Sequence, residues 1–210
     1  MPRSILRGVY VILDDRREGE TLMRVGEGVL EAGVRVVQYR AKRGVDAAVL
    51  ARLRSLTARH AALLIVNDDP EAALDAGADG IHLGPEDCEA LDLRAVRSRL
   101  QGKLLGISCA TPAEADAALA AGADYIGVGA VFATASKADA GAPIGLEGLR
   151  RVVDHSRLPV VAVGGIDGGN IASVARSGAA MAAVISAVAG APDAAQAART
   201  LIARWDEGSA

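Results

Sequence analysis

The chain has 210 residues, of which 51% are hydrophobic but only 2% aromatic, and carries a formal charge of −3. That charge gives no reason to expect nucleic acid or an anionic membrane as a partner, and no apolar run approaches the ~18 residues of a membrane span. With two cysteines, no disulfide framework and no charged-then-apolar leader, a soluble cytoplasmic protein with a core of Ala, Val, Leu and Ile is expected.

Short β-branched or Leu-rich runs alternate with longer Ala-, Leu- and Arg-bearing segments. The first strand is expected at 9–14 (VYVILD) and the second at 34–40 (VRVVQYR). The second ends in Gln38, Arg40 and Lys42, spaced by two, so an extended chain turns all three to one face and Tyr39 to the other. One amide and two cations suit an anionic ligand with a polar organic part; solvated charges at a fraying strand end are the alternative. The chain holds 20 arginines but three lysines, Lys42, Lys103 and Lys137, so a retained lysine draws notice for its compact charge.

A helical pattern over 45–60 leads to the third strand, 63–68 (LLIVND), which runs into Asn67, Asp68 and Asp69. The fourth, 80–84 (GIHLG), is followed by Glu86 and Asp87. Carboxylates without sulfur or clustered imidazole favour a hard cation, and Mg²⁺ takes one or two carboxylates plus substrate phosphate oxygens. Helix capping competes, most strongly for Asp69 and Glu86; Asp68 and Asp87 are favoured as metal ligands.

The fifth strand, 104–109, contributes Ser108 from "GISCAT", and the sixth, 125–131, precedes "FATASKAD" with Thr134, Ser136 and Lys137. Hydroxyls and a lysine among small residues suit a phosphate, though a flexible surface loop has the same composition. The seventh strand, 160–165, ends in Gly164 and Gly165, and the eighth, 182–188, carries Ser186, ahead of a helical pattern at 193–205. Glycines there allow backbone N–H groups to approach a second phosphate.

"EAGVRVV", "DAGADGI", "AAGADYI" and "RSGAAMA" place Gly33, Gly77, Gly122 and Gly178 where a helix stops and an even-numbered strand begins. Eight strands in a repeated βα pattern predict an α/β fold, a single (β/α)₈ TIM barrel over residues 1–210, with an open doubly wound sheet as the alternative. Chemistry then belongs at the carboxyl ends of the strands, where the polar residues concentrate. His82 lies inside an apolar strand, His60 and His155 at helix ends, and Cys109 has no nearby histidine, so all four read as structural. The site is rich in charge stabilisation and poor in general base, which suits departure of a pyrophosphate.

The pieces "QYRAK", "VNDD", "DGIHLGPED", "GIS", "GAVFATASKAD", "VGGI" and "VISAV" occur in the order of the thiamine-phosphate synthase family, which the chain resembles from residue 10 to about 190. The resemblance implies a barrel that joins hydroxymethylpyrimidine pyrophosphate to hydroxyethylthiazole phosphate by a dissociative substitution. It assigns Mg²⁺ to Asp68 and Asp87, the pyrophosphate to Arg40, Lys42, Asn67, Ser108 and Lys137, and the pyrimidine to Gln38. Thr134, Ser136, Gly165, Ile185 and Ser186 match the thiazole-phosphate side. Arg40, Lys42, Ser108 and Lys137 are the implied catalytic group, the partners are small molecules, and a homo-oligomer is left open. Cys109 and Ala110 stand where the family often has a histidine, which argues against the related thiazole tautomerase.

Overall fold

The structure is a computed structural model that describes residues 5–16, 19–136 and 141–209. The first half runs β1 (Gly8–Asp14), α1 (Gly19–Glu31), β2 (Val36–Arg40), α2 (Ala47–Arg59), β3 (Leu63–Asn67), α3 (Pro70–Asp75) and β4 (Gly80–Leu83). Two helices, α4 (Pro85–Ala90) and α5 (Leu93–Arg99), lead to β5 (Leu104–Cys109), α6 (Pro112–Ala120), β6 (Tyr125–Val128), α7 (Gly145–His155) and β7 (Val160–Val163). The chain closes with α8 (Ile171–Ala175), β8 (Met181–Val184), α9 (Ser186–Ala189) and α10 (Ala194–Ser209).

All neighbouring strands pair in parallel, and β8 returns to β1 in the register Tyr10↔Ala183. The sheet is therefore a closed barrel, and the open-sheet alternative falls. Alternation along each strand divides the core in two. Val9, Val11 and Leu13 of β1 face the helices, as do Val37 and Tyr39 of β2, while Tyr10, Ile12 and Val36 face inward. The four repeat glycines, at φ between 63° and 108°, do occupy the left-handed region that ends a helix before the next strand.

The repeat extends to a neighbouring acid. Asp79 Oδ2 accepts from the Leu64 N–H at 2.9 Å, and Asp124 Oδ2 accepts from the Leu105 N–H at 2.9 Å. Each carboxylate ties a strand to its predecessor at the amino end of the barrel and meets an arginine of the outer layer, Arg54 or Arg97. Lys103 belongs to this end too, donating to the Ala78 carbonyl. Its retention is structural.

Bulk inside the barrel is balanced across strands. His82, Gly106 and Tyr125 are in register on β4, β5 and β6. The His82 and Tyr125 rings stack, with centroids 5.5 Å apart. A Cβ on Gly106 would lie 2.2 Å from Tyr125 Cζ and 2.5 Å from His82 Nδ1; one on Gly127 would lie 2.9 Å from His82 Cε1. The glycines are the space that the two rings fill.

Several strands stop short of their expected limits. Those expected at 125–131, 160–165 and 182–188 end at Val128, Val163 and Val184. Pairing survives locally, through Val131 N to Val163 O at 2.9 Å and Phe132 N to Gly164 O at 3.0 Å, as the chain leaves the barrel wall. Among the described residues no helix is long and apolar enough to cross a membrane.

The steric balance makes a direct prediction. Gly106→Ala is expected to destabilise the fold by about 1–3 kcal/mol or more in urea unfolding. Gly168→Ala, whose added Cβ has nothing within 4 Å, is expected to stay within about 0.5 kcal/mol of wild type. Equal losses would contradict the packing account.

Candidate active site

The carboxyl ends of the strands surround a cavity of about 500 Å³. On β2, Gln38 and Arg40 point inward, and Lys42, in the turn that follows, lines the same cavity while Ala41 packs outward. The alternation expected for these residues thus carries past the strand's end. Gln38 is buried, and its Nε2 donates to Tyr10 Oη at 2.9 Å, which sets the amide's orientation. Arg40 Nη1 donates to Asp14 Oδ2 at 2.5 Å.

The run Asn67-Asp68-Asp69 divides into three roles. Asn67 follows the strand alternation inward. Asp68 would point outward by the same rule, but its φ of 65° breaks the alternation, and it lines the cavity beside Asn67. Asp tolerates that left-handed region better than most residues. Asp69 then caps α3, accepting from the Ala72 N–H at 2.9 Å. Capping, the alternative raised for this position, is what Asp69 does.

Across from Asp68, Asp87 sits in the first turn of α4, and its Oδ2 accepts from the Gly84 N–H at 2.9 Å. It therefore caps and lines the cavity at once, so the two readings of this residue are compatible. Burial pushes the Asp87 carboxyl above its usual range, and its contact with the Asp68 carboxyl pushes in the same direction. Lys42 Nζ pairs with Asp68 Oδ2. Among the described residues no three carboxylates, thiols or imidazoles converge into a closed metal cage. Two adjacent carboxylates beside an open cavity instead fit a hard cation that completes its shell with ligand oxygens and water.

Below the acids lies a connected polar floor. His82 Nε2 is 3.0 Å from Ser108 Oγ, His82 Nδ1 is 3.2 Å from Tyr125 Oη, and Tyr125 Oη is 3.3 Å from Tyr10 Oη. With the Gln38 bond, five side chains form one chain across the barrel. His82 lies inside its apolar strand as expected, and its ring joins this floor. Flanked by outward-facing Ile81 and Leu83, it points into the site and holds Ser108. The alternation in "GIHLG" was the available signal for this, and it applies equally to Tyr10 in "VYVIL". His60 and His155 do lie at helix ends, the latter 3.0 Å from Asp116. Cys109 also borders the cavity, but burial pushes its thiol up to about 12, which keeps it un-ionised and a poor nucleophile.

The opposite wall comes from β6, β7 and β8. Thr134, Ser136, Gly165, Ile185 and Ser186 all line the cavity. Thr134 Oγ1 accepts from the Ser136 N–H at 3.1 Å, giving this part of the loop a defined turn. Gly165 must be glycine, since a Cβ there would lie 2.5 Å from the Ala133 carbonyl oxygen and its φ is 63°. Ser186 opens α9 with Ile185 at the cap position, so no side-chain oxygen serves that turn. Lys137 lies outside the described residues. The remaining residues expected at the site, from Gln38 to Ser186, are brought around one cavity.

Residues 9–188 match the family model described as thiamine monophosphate synthase. A thiamine biosynthesis bifunctional protein ThiM/ThiE of Symbiobacterium thermophilum is 48% identical over 206 residues, which are 96% of this chain and 41% of that longer protein. The thiamine-phosphate synthase of Chloroflexus aurantiacus is 43% identical over 197 residues, covering 92% of this chain and 90% of that one. The solved structure of thiamine phosphate pyrophosphorylase from Pyrococcus furiosus superposes with a TM-score of 0.87 at 37% identity, covering 99% of each chain.

The buried Asp14 beside Arg40 gives the site a pH signature. Burial alone would raise its pKa, but the Arg16 backbone N–H, the Arg16 side chain and Arg40 together hold it below the usual range. A depressed pKa stabilises the fold above the unfolded-state value of about 3.9 and loses that contribution as pH falls toward the folded-state value. Asp14→Asn is expected to cost about 1–3 kcal/mol at pH 7. Urea titrations at successive pH values should show the gap to wild type narrowing only below about pH 4; a gap that is constant with pH would count against the ionic role.

Proposed function

The chain belongs to the thiamine monophosphate synthase family, and we propose that its cavity joins hydroxymethylpyrimidine pyrophosphate to hydroxyethylthiazole phosphate, giving thiamin phosphate and pyrophosphate. The observation that carries this reading is the pairing of two differently equipped walls around one cavity. One offers two amides, two cations and the adjacent carboxylates Asp68 and Asp87; the other offers hydroxyls and a close-approach glycine. Such a transferase needs a place for each of two phosphorylated substrates and room for the reacting carbon and nitrogen between them.

In this reading Gln38 binds the pyrimidine, its amide fixed by Tyr10. Arg40, Lys42, Asn67 and Ser108 receive the pyrophosphate, with Lys137 completing that group, and Asp68 and Asp87 hold Mg²⁺. Mg²⁺ bound there would neutralise charge on the pyrophosphate oxygens and ease their departure. Thr134, Ser136, Gly165 and Ser186 bind the thiazole phosphate, and Ile185 offers the ring an apolar surface. His82 keeps the Ser108 hydroxyl aimed at the leaving group.

The bond between the pyrimidine methylene carbon and the pyrophosphate oxygen breaks first. The thiazole nitrogen then supplies the electron pair for the new carbon–nitrogen bond. No proton has to be removed for that bond to form, so the reaction asks for charge stabilisation and alignment rather than a strong base. The proposed setting is the cytoplasm.

Thiamin phosphate formation from the two substrates, assayed with Mg²⁺ and with chelator, tests the proposal. Chelator should abolish product and added Mg²⁺ restore it. Asp68→Ala should lower kcat/KM by about a hundred-fold or more. Undiminished turnover in both cases would remove the metal from the mechanism, and no product from the wild type would remove the synthase reading altogether.

A further inference from the structure

The end of β1 carries a carboxylate to which the proposed reaction assigns no part. Asp14 is buried, and each of its oxygens is engaged. Oδ1 accepts from the Arg16 backbone N–H at 3.0 Å and from Arg16 Nε at 2.7 Å, while Oδ2 accepts from Arg40 Nη1 at 2.5 Å. One acid therefore fixes two guanidinium groups.

The two arginines serve different hollows. Arg40 lines the main cavity, beside Gln38 and Lys42. Arg16 lines a second, adjoining hollow of about 640 Å³ between the ends of β1, β6, β7 and β8. Thr134, Ser136, Gly165 and Ser186 border both hollows, so Arg16 stands behind the wall assigned to the thiazole phosphate. Among the described residues lining that second hollow, Arg16 is the one cation. Asp167, the acid that shares the hollow with Asp14, has its Oδ1 engaged by the Gly169 N–H at 2.8 Å.

The proposed thiazole-phosphate wall otherwise consists of neutral hydroxyls and backbone. A phosphate dianion held only by neutral donors lacks the charge-assisted hydrogen bonds that guanidinium supplies. Arg16 is anchored through Nε, which leaves its two terminal nitrogens as the edge not held by Asp14. Its side chain is 54% exposed, so a ligand can reach it. Two cations share one carboxylate, and each guanidinium lines a different hollow.

We propose that Arg16 binds the phosphate of the thiazole substrate, and that Asp14 is a positioning residue that sets one guanidinium toward each of the two anionic substrates. This inference rests on the synthase reading and adds to it a cation for the second substrate and a shared support for both. It also assigns Arg16 a part in specificity, favouring the phosphorylated thiazole over the free alcohol.

Steady-state kinetics with each substrate varied in turn, together with calorimetric titration of thiazole phosphate, test it. Arg16→Ala is expected to raise KM and Kd for thiazole phosphate about ten-fold or more while leaving KM for the pyrimidine pyrophosphate unchanged, and Arg16→Lys should recover part of the loss. Asp14→Asn is expected to raise both KM values, which a role confined to stability would not do. Wild-type constants for Arg16→Ala, or equal rises for both substrates, would overturn the proposal. Should Asp14→Asn not fold, the Arg16 pair decides alone. Should the wild type form no thiamin phosphate, the synthase reading fails separately, and titration of inorganic phosphate into wild type and Arg16→Ala still decides whether Arg16 binds an anion.

Discussion

The structure turns on a steric exchange inside the barrel. Two rings, His82 and Tyr125, occupy an interior that would hold aliphatic side chains in a plainer barrel, and Gly106 and Gly127 give up the volume they need. Because the rings are polar at their edges, the exchange also builds the floor of the site. The same contacts that pack β4 against β5 and β6 link Ser108 through the rings to Tyr10 and Gln38. Packing and ligand-facing orientation cannot be altered separately here, since a change of ring size at either position moves hydrogen-bond donors as well as volume.

Above that floor the charges are arranged in pairs rather than scattered. Arg40 is braced by Asp14, and Lys42 by Asp68. Each brace limits the rotamers of a long cationic side chain, and so reduces the ordering entropy that ligand binding would otherwise cost. The Asp68–Asp87 contact works in the opposite sense. Two like charges held together are unfavourable until something positive lies between or beside them, so the acids create a demand that a cation or Lys42 can meet.

Much of this was legible in the chain. The repeat glycines marked the helix ends, and period-two spacing put Gln38, Arg40 and Lys42 on one face, as the structure has them. Closure of the barrel was expected from eight strands in a repeated βα pattern and is what the structure has, although nothing local in "VYVILD" or "AAVISAV" encodes the pairing of β1 with β8 that completes it. Asp68 reached the cavity only through a left-handed backbone that a rule of alternation does not anticipate. His82 lies inside its apolar strand as expected, but the direction of its ring was not read. Its apolar neighbours marked a buried strand and, by alternation, also placed the ring on the inner face. Asp14 drew no reading of its own, since its pairing with Arg40 is brought about by the fold and not by the local sequence.

The dissociative substitution proposed above sets one further requirement, which bears on the phenols and the thiol at the site. An electron-poor pyrimidine methylene would be captured by any competing nucleophile within reach. Burial raises the pKa of both Tyr10 and Tyr125 above the phenol range, so neither offers a phenolate. Cys109, pushed up to about 12, offers no thiolate. Of the carboxylates that line the cavity, Asp68 is engaged by Lys42, Asp87 by the Gly84 N–H and Glu114 by the Ala110 N–H. In the proposed reaction the two phenols and the Cys109 thiol therefore contribute by remaining un-ionised. The phenols help to orient the pyrimidine, through Gln38, without supplying a phenolate that could compete with the thiazole nitrogen.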